Sequence, residues 1–145
     1  MPLSGTRILD LSHVLAGPYA THVLAQLGAE VIKIEQPGIG DSMRELSARP
    51  EMEGLSPNFV GANAAKHSIS LDLSTDEGHK VLERLVATAD IFVENFRPGK
   101  MAKLGFSPER LAELNPDIVC CSISAWGQSG PLSPQGGFDH LDQLW

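Results

Sequence analysis

Residues 6–35 read TRILDLSHVLAGPYATHVLAQLGAEVIKIE and contain a strand–helix–strand pattern. The aliphatic run Thr6–Leu11 is typical of a buried strand, and Val31–Glu35 predicts a second one. Between these strands, four apolar residues at helical spacing predict one buried helix face, and Gly28 follows as the glycine that commonly ends a helix. The four residues are Ala20, Val23, Leu24 and Leu27. The stretch therefore predicts a β–α–β unit, from which parallel sheets are built.

Strands and helices continue to alternate further along the chain. Strands are predicted at Ser68–Leu73, Asp90–Asn95 and Ile118–Ile123, and helices from Ser74 onward, at Met101–Leu104 and at Pro108–Leu114. Ser74 and Glu77 form a capping-box pattern, and Ser107 is the expected N-cap of the last helix. Residues 36–64, rich in glycine and proline, are expected to form one long irregular loop. The pattern predicts an α/β fold: an open, mostly parallel Rossmann-like sheet with helices on both faces, which binds ligands outside the carboxyl ends of its strands.

Composition limits the classes of function. The chain has 145 residues, the size of one domain, and a net charge of −7. An acidic surface disfavours binding to nucleic acid or anionic lipid, although a local cluster of cationic groups can still bind a small anion. No apolar run is long enough for a signal peptide or a membrane span. Cys120 and Cys121 lie in an apolar run, where buried, inert thiols are expected, and unpaired thiols favour a reducing, cytoplasmic location.

The loop His13–Pro18 joins the first strand to the first helix and is rich in small residues. Backbone N–H groups at such a place can bind a phosphate, but an Ala-Gly-Pro sequence on its own is more often a tight turn. No GxGxxG or Walker sequence is present, so dinucleotide and P-loop sites have no support. The five histidines show no metal-ligand spacing, so no metal site is expected. His13 is a candidate acid, base or ligand donor, although an isolated histidine is more often structural.

Polar and charged side chains follow several predicted strands, and each has two interpretations. Asp41 and Arg44 are spaced for a local ion pair, or Arg44 contacts an anionic substrate. Basic residues near strand ends are usually solvated charges, but in an acidic protein they are also candidate ligand contacts. They are Lys66, Arg97, Lys100 and Lys103. Asn95 and Phe96 either bind and stack on a ligand or cap the strand and pack in the core, and their spacing leaves this open.

Several segments, taken in order, resemble family III CoA-transferases. The first matches are Pro2–Gly5 with Ile8–Leu11, Val14–Pro18, Leu27–Glu35 and the Gly40-Asp41…Arg44 loop. The later ones are Asn63…Leu73, Ala89–Gly99, Cys121–Ser124 and Gly127–Pro131. The similarity covers essentially all 145 residues. It implies that residues 1–145 form a truncated CoA-binding Rossmann-like domain, with the rest of the family's chain absent.

The resemblance implies transfer of CoA from an acyl-CoA thioester to a free carboxylic acid, through an aspartyl anhydride and an enzyme–CoA thioester. The family's nucleophilic aspartate is expected beyond Trp145, so no residue of this chain is assigned that catalytic role. Coenzyme A or acyl-CoA and a small carboxylic acid are the implied substrates. The full-length enzyme is expected to be a homodimer, with no metal and with neither nucleic acid nor membrane as a partner. Carried over by position, the CoA-contacting residues are Leu15, Ala16, Gln36, Leu71, Asp72, Asn95, Phe96, Lys103, Phe138 and Asp139.

The chain departs from the family pattern at Gln36, at Ala65 and at Leu144-Trp145, where small residues are expected, and two alternatives follow from the resemblance. Gln36 stands where an arginine is common, so one phosphate or adenine contact is expected to be weaker, and Ala65 replaces an asparagine. Racemases of the same superfamily place a histidine where this chain has Phe138, so the transferase is preferred over an α-methylacyl-CoA racemase. The other alternative is a catalytically inactive CoA-binding fragment, which is expected to expose apolar surface and to self-associate.

Overall fold

The computed structural model describes residues 1–46, 48–52 and 55–137, and its centre is a five-stranded parallel sheet. The strands are β1 (Arg7–Asp10), β2 (Glu30–Glu35), β3 (His67–Ser70), β4 (Ile91–Glu94) and β5 (Val119–Ser122). The helices are α1 (Ala16–Gln26), α2 (Pro57–Asn63), α3 (Asp76–Val86), α4 (Lys100–Lys103) and α5 (Pro108–Leu114). The predicted α/β class and every predicted strand are confirmed.

The strand order is β3-β2-β1-β4-β5, and every neighbouring pair is parallel. Ile8 on β1 pairs with Val31 on β2 at one side and with Ile91 on β4 at the other. The chain extends the sheet in one direction from β1 to β3, and then in the opposite direction from β4 to β5. This is the order of the first five strands of a Rossmann sheet, in which ligands bind where the direction reverses. The loops after β1 and β4 border that point.

Helices cover both faces of the sheet, and each face has its own hydrophobic core. The larger core packs α3, α4 and α5 against the sheet and is centred on the fully buried Leu9, Leu82 and Phe92. The smaller core surrounds Ile8 and Val31 and is covered by α1. Burying one large apolar side chain contributes about 1.5–3 kcal/mol, so the two cores fix the helices to the strands. In the described part of the chain, no helix has the length and apolar character needed to cross a membrane.

The first helix, α1, buries a different face from the one that its apolar spacing predicts. Val23 and Leu27 are 38% and 41% exposed, and Ala20 is exposed as well. The buried residues of the helix are Gly17, Pro18 and Thr21. Only Leu24 of the predicted face packs against the smaller core. The prediction of this face is therefore wrong: compact residues line the contact with the sheet, and larger apolar ones lie at the surface.

The segment between β2 and β3 is more ordered than the predicted irregular loop. It contains α2 and two 3-10 turns, Ser42–Arg44 and Pro50–Met52. The hydroxyl of Ser56 accepts a hydrogen bond from Phe59 N and caps α2, and Pro57 occupies the first helical turn. The helix is only seven residues long, too short for its apolar periodicity to stand out.

The cap of α3 lies one residue later than predicted. The Thr75 hydroxyl accepts a hydrogen bond from Gly78 N at 3.0 Å, whereas the Ser74 hydroxyl donates to the Asp72 carboxylate at 2.7 Å. The predicted capping box at Ser74 is therefore wrong. Ser107 caps α5 as predicted and accepts a backbone hydrogen bond at 3.3 Å.

The last strand, β5, is an exposed edge strand, which corrects the prediction of a buried one. All four of its residues are exposed, including the unpaired Cys120 and Cys121. The strand pairs with β4, and its apolar sequence predicts burial without specifying what would cover it. The expectation that the two thiols are packed in a core is wrong for the same reason.

Candidate functional site

The loops after β1 and β4 are joined at the carboxyl edge of the sheet. The side-chain amide of Asn95 accepts a hydrogen bond from His13 N and donates one to His13 O, each 2.8 Å long. The amide thus pairs with the backbone of His13 as a neighbouring strand would. Asn95 therefore fixes the separation of the two loops at the point where the sheet reverses direction.

Asp41 holds the next residue of the β1 loop. Its buried carboxylate accepts hydrogen bonds from the backbone N–H groups of Val14 and Met43, both at 3.0 Å, and pairs with the Lys33 ammonium at 3.0 Å. Val14 has φ +67°, a left-handed conformation that is rare for a β-branched residue. Strained turns of this kind persist only when their surroundings hold them, and they cluster at functional sites.

Glu35, at the end of β2, is a second buried carboxylate. It accepts hydrogen bonds from Asp41 N at 2.8 Å and from the Arg44 guanidinium at 2.9 and 2.6 Å. Burial alone would raise the pKa of Glu35, but Arg44 and the Asp41 N–H outweigh it and hold the pKa below its ordinary value. The guanidinium also lies 3.9 Å over the Phe59 ring. The local Asp41–Arg44 pair that their spacing allows does not form, because Arg44 pairs with Glu35.

Asp10 and Lys66 form a further buried ion pair, 2.9 Å long, with side chains 0% and 1% exposed. Asp10 also accepts hydrogen bonds from the hydroxyls of Ser12 and Thr21, and Lys66 donates to Pro18 O at 2.7 Å. Burial alone would raise the pKa of Asp10, but the Lys66 ammonium and the two hydroxyls hold it below its ordinary value. Lys66 therefore ties β1 to α1 and is not free to contact a ligand.

An open cleft of about 300 Å³ lies outside the carboxyl ends of β1, β2, β3 and β4. Its apolar walls are formed by Leu11, Ile34, Ile39, Leu71, Leu73, Phe96 and Leu104. Its polar groups belong to His13, Glu35, Gln36, Asp72, Ser74 and Lys100. A mostly apolar cleft with a few polar groups is the usual form of a small-molecule site. Within the described ranges, no three His, Cys, Asp or Glu side chains come together as a metal site.

The predicted contact residues are distributed unevenly about this cleft. Those that line it are Gln36, Leu71, Asp72 and Phe96. Asn95 lies next to it, bonded to His13. Leu15 and Ala16 are exposed at the start of α1, Lys103 is exposed on α4, and none of these three residues lines the cleft. Phe138 and Asp139 fall outside the described residues.

The cleft also contains His13 and Lys100, which the sequence offers as candidates but which are absent from the contacts that the resemblance implies. The ring of His13 packs on Phe96 with centroids 5.3 Å apart. Burial lowers the pKa of His13 below its ordinary value, so the imidazole is neutral at neutral pH. A lone histidine in a loop carries no signal in the sequence, and only the pairing of β1 with β4 brings it beside Phe96. Lys100 is one of several basic residues near strand ends, and spacing in the sequence does not show which of them faces the cleft.

The parallel sheet has the Rossmann strand order, and its apolar cleft lies near the point of reversal, where open α/β sheets bind ligands. The sequence signature described as CoA-transferase family III matches residues 3–144. The chain therefore belongs to this family, and the resemblance inferred from its sequence is confirmed.

Individual relatives agree with this assignment. The chain is 44% identical over 140 residues to succinyl-CoA:glutarate CoA-transferase of Mus musculus, covering 97% of this chain and 32% of that protein. It is 42% identical over 142 residues to acetyl-CoA:oxalate CoA-transferase of Acetobacter aceti, covering 98% and 36%. The crystal structure of a CAIB/BAIF family protein from Brucella suis matches with a TM-score of 0.90 at 39% identity, covering 97% and 38%. The chain thus spans 32–38% of the length of these relatives.

Proposed function

We propose that this chain forms the coenzyme A-binding part of an enzyme that transfers CoA from an acyl-CoA thioester to a small free carboxylic acid. The proposal is supported by the combination of family membership and the position of the cleft. The chain belongs to CoA-transferase family III, and it has an open cleft where a Rossmann sheet binds nucleotides. The names of the relatives pair CoA with different acids, glutarate and oxalate, so the acid is proposed here only as a class.

The cleft suits the nucleotide half of CoA. Leu71 and Phe96 offer apolar and aromatic surface to an adenine ring. Gln36 and Asp72 offer hydrogen-bonding groups for the base and ribose, and Lys100 offers a positive charge to a phosphate. Of the remaining proposed contacts, Leu15, Ala16 and Lys103 are exposed outside the cleft lining. Phe138 and Asp139 fall outside the described residues. In this arrangement Asn95 supports binding indirectly, because it holds the loops after β1 and β4 in position.

The proposed reaction needs only an acyl-CoA thioester, a free carboxylic acid and one enzyme aspartate. The aspartate carboxylate attacks the thioester carbonyl and expels CoA as a thiolate, which leaves an acyl–aspartyl anhydride. The thiolate then attacks the aspartyl carbonyl, releasing the first acid and forming an enzyme–CoA thioester. The same two steps run in reverse with the second acid, so nothing is oxidised or reduced. No residue of this chain is assigned the role of that aspartate, and the chain contributes the binding of CoA.

We propose that the complete enzyme is a cytoplasmic homodimer. The exposed apolar side chains of α1 and the exposed strand β5 support further protein contacts, because patches of this kind are usually covered. The two unpaired cysteines fit a reducing compartment.

Calorimetric titration of the chain with CoA tests the proposal. We expect saturable binding, which Lys100→Ala weakens roughly tenfold because a charge-assisted hydrogen bond to phosphate is lost. Lys103→Ala should weaken binding less, because Lys103 lies on the same helix but outside the cleft lining. A folded chain without affinity for CoA would contradict the proposal.

Lys80→Ala is the matched control. Lys80 is exposed on α3 and lies outside the cleft lining, so its removal changes the net charge by the same amount as Lys100→Ala. We expect unchanged affinity for this variant. Equal losses in the two variants would show that the cleft lysine acts only through overall charge.

A further inference from the structure

The imidazole of His13 lies in the wall of the cleft, with no hydrogen-bond partner for either ring nitrogen among the residues that the structure describes. Two other histidines differ in this respect. A ring nitrogen of His22 lies 3.0 Å from Ala64 O, and one of His79 lies 2.9 Å from Leu73 O. Those rings contribute to the fold. The neutral ring of His13 keeps one donor and one acceptor nitrogen for a ligand.

The position of this ring is fixed without the use of its nitrogens. Asn95 bonds to the backbone of His13 at both N and O, and the buried Asp41 carboxylate holds Val14 N at 3.0 Å. The ring itself packs on Phe96. The imidazole is therefore oriented before any ligand arrives, which reduces the entropy that binding must remove.

The charges around His13 are largely paired with one another. The charged groups that act on its imidazole are the carboxylates of Asp10, Glu35 and Asp41 and the ammonium of Lys33. The three carboxylates pair with Lys66, Arg44 and Lys33 respectively. Lys100 on α4 and Asp72 after β3 line the same cleft. An anionic ligand at His13 therefore meets a neutral ring among paired carboxylates, with a lysine in the same cleft.

We propose that His13 is a ligand-binding residue whose imidazole donates a hydrogen bond to the pyrophosphate of bound CoA. The inference rests on the proposed function. His13 lies in the loop that follows β1 where the sheet reverses direction, three residues before α1 begins at Ala16, and Rossmann-like sheets bind nucleotide phosphates at this loop. An imidazole that is held in position and has an unused donor supplies a directional contact to an anion there.

Two substitutions separate the hydrogen bond from the packing. His13→Phe keeps an aromatic ring against Phe96 but removes the donor, and His13→Gln keeps a donor of similar reach. Dephospho-CoA is the probe, because it retains the pyrophosphate and lacks the 3′-phosphate. We expect His13→Phe to raise its Kd about tenfold and His13→Gln to raise it about threefold or less. Circular dichroism and thermal melting check that each variant is folded. We expect both variants to fold, because Asn95 bonds to the backbone of His13 and not to its ring.

The proton balance gives a readout that a purely structural role would not change. Burial lowers the pKa of His13 in the free chain, and a nearby pyrophosphate raises it by favouring the imidazolium. Binding therefore takes up protons between the two pKa values, and affinity rises as the pH falls through that interval. Dephospho-CoA does not titrate near neutral pH, so the excess proton uptake of the unmodified chain over His13→Gln belongs to His13.

Titration in buffers of different ionisation enthalpy measures this uptake. Weaker binding by His13→Phe, near-normal binding by His13→Gln and loss of the proton uptake in both would support the proposal. Unchanged affinity of His13→Phe for dephospho-CoA would overturn it and leave the proposed function intact. Failure of the folded, unmodified chain to bind either CoA or dephospho-CoA would overturn both.

Discussion

Lys66 is buried because Asp10 lies 2.9 Å from its ammonium group. Replacing Lys66 with methionine keeps most of the side-chain volume but leaves the Asp10 carboxylate buried without its cation. We expect Lys66→Met to lower the free energy of unfolding by about 3–5 kcal/mol, because an uncompensated buried charge is strongly destabilising. Urea denaturation followed by circular dichroism measures the change.

Arg7 and Glu30 provide a matched pair at the surface. Their side chains are 2.7 Å apart but 37% and 43% exposed, so water screens the charges. Arg7→Met should lower the free energy of unfolding by about 1 kcal/mol or less. Equal losses in Arg7→Met and Lys66→Met would show that burial is not the source of the Lys66 effect.

The partners of the buried charges could not be predicted from spacing in the sequence. Asp41 lies three residues before Arg44, which suggests a local pair, yet it bonds to Lys33 on β2. The sheet brings β2 beneath this loop, and a fully buried carboxylate needs several donors at once. The position of His13 depends in the same way on Asn95, which is distant in sequence. Four of the residues that the resemblance names line the cleft, and all four follow strand ends, where the parallel sheet itself fixes their location. Their contact with CoA stays a prediction.

At the scale of single elements, the start of α3 gives a direct test of the cap. The Thr75 hydroxyl accepts the Gly78 N–H, which would otherwise lack a partner in the first helical turn. We expect Thr75→Ala to lower the free energy of unfolding by about 1 kcal/mol, as measured by urea denaturation. Ser74→Ala is the control and should have a smaller effect, because its hydroxyl bonds only to the exposed Asp72 turn. A larger loss of stability in Ser74→Ala than in Thr75→Ala would instead support the capping box that the sequence predicts at Ser74.

The sequence predicts the positions of elements well where apolar runs are long. It predicts poorly which face of an element is buried, because that depends on what packs against the element. Each strand has a β-branched or aliphatic run, and α5 has the boundaries that Ser107 and Pro108 predict. The short α2 has too few turns to show a period. The exposed faces of α1 and β5 were predicted as buried, because an apolar pattern indicates that a surface is covered without indicating by what.

At the scale of the whole molecule, the apolar stripe on α1 predicts self-association of the isolated chain. Leu15, Tyr19, Val23 and Leu27 are between 38% and 58% exposed and follow one another at four-residue intervals. We expect sedimentation velocity to show concentration-dependent oligomers, because exposed apolar area of this kind associates in water. The double substitution Tyr19→Glu and Val23→Glu should shift the population towards monomer.

Lys80→Glu on α3 is the control for the change in charge. It changes the net charge as much as the double substitution does but leaves the apolar stripe intact. We expect this variant to associate like the unmodified chain. A monomer at all concentrations, or equal dissociation in both variants, would contradict the role of the stripe.

The central position of β1 also affects the order in which the fold can be assembled. Ile8 pairs with Val31 soon after it in the chain, but its second neighbour, Ile91, comes much later. On the ribosome, β1 is therefore made first and waits with one edge unpaired until β4 has emerged. Closing so long an intervening loop slows folding, and an unpaired parallel edge is open to wrong partners during that time. The reversal of strand order that creates the cleft thus makes completion of the sheet a late and slow step.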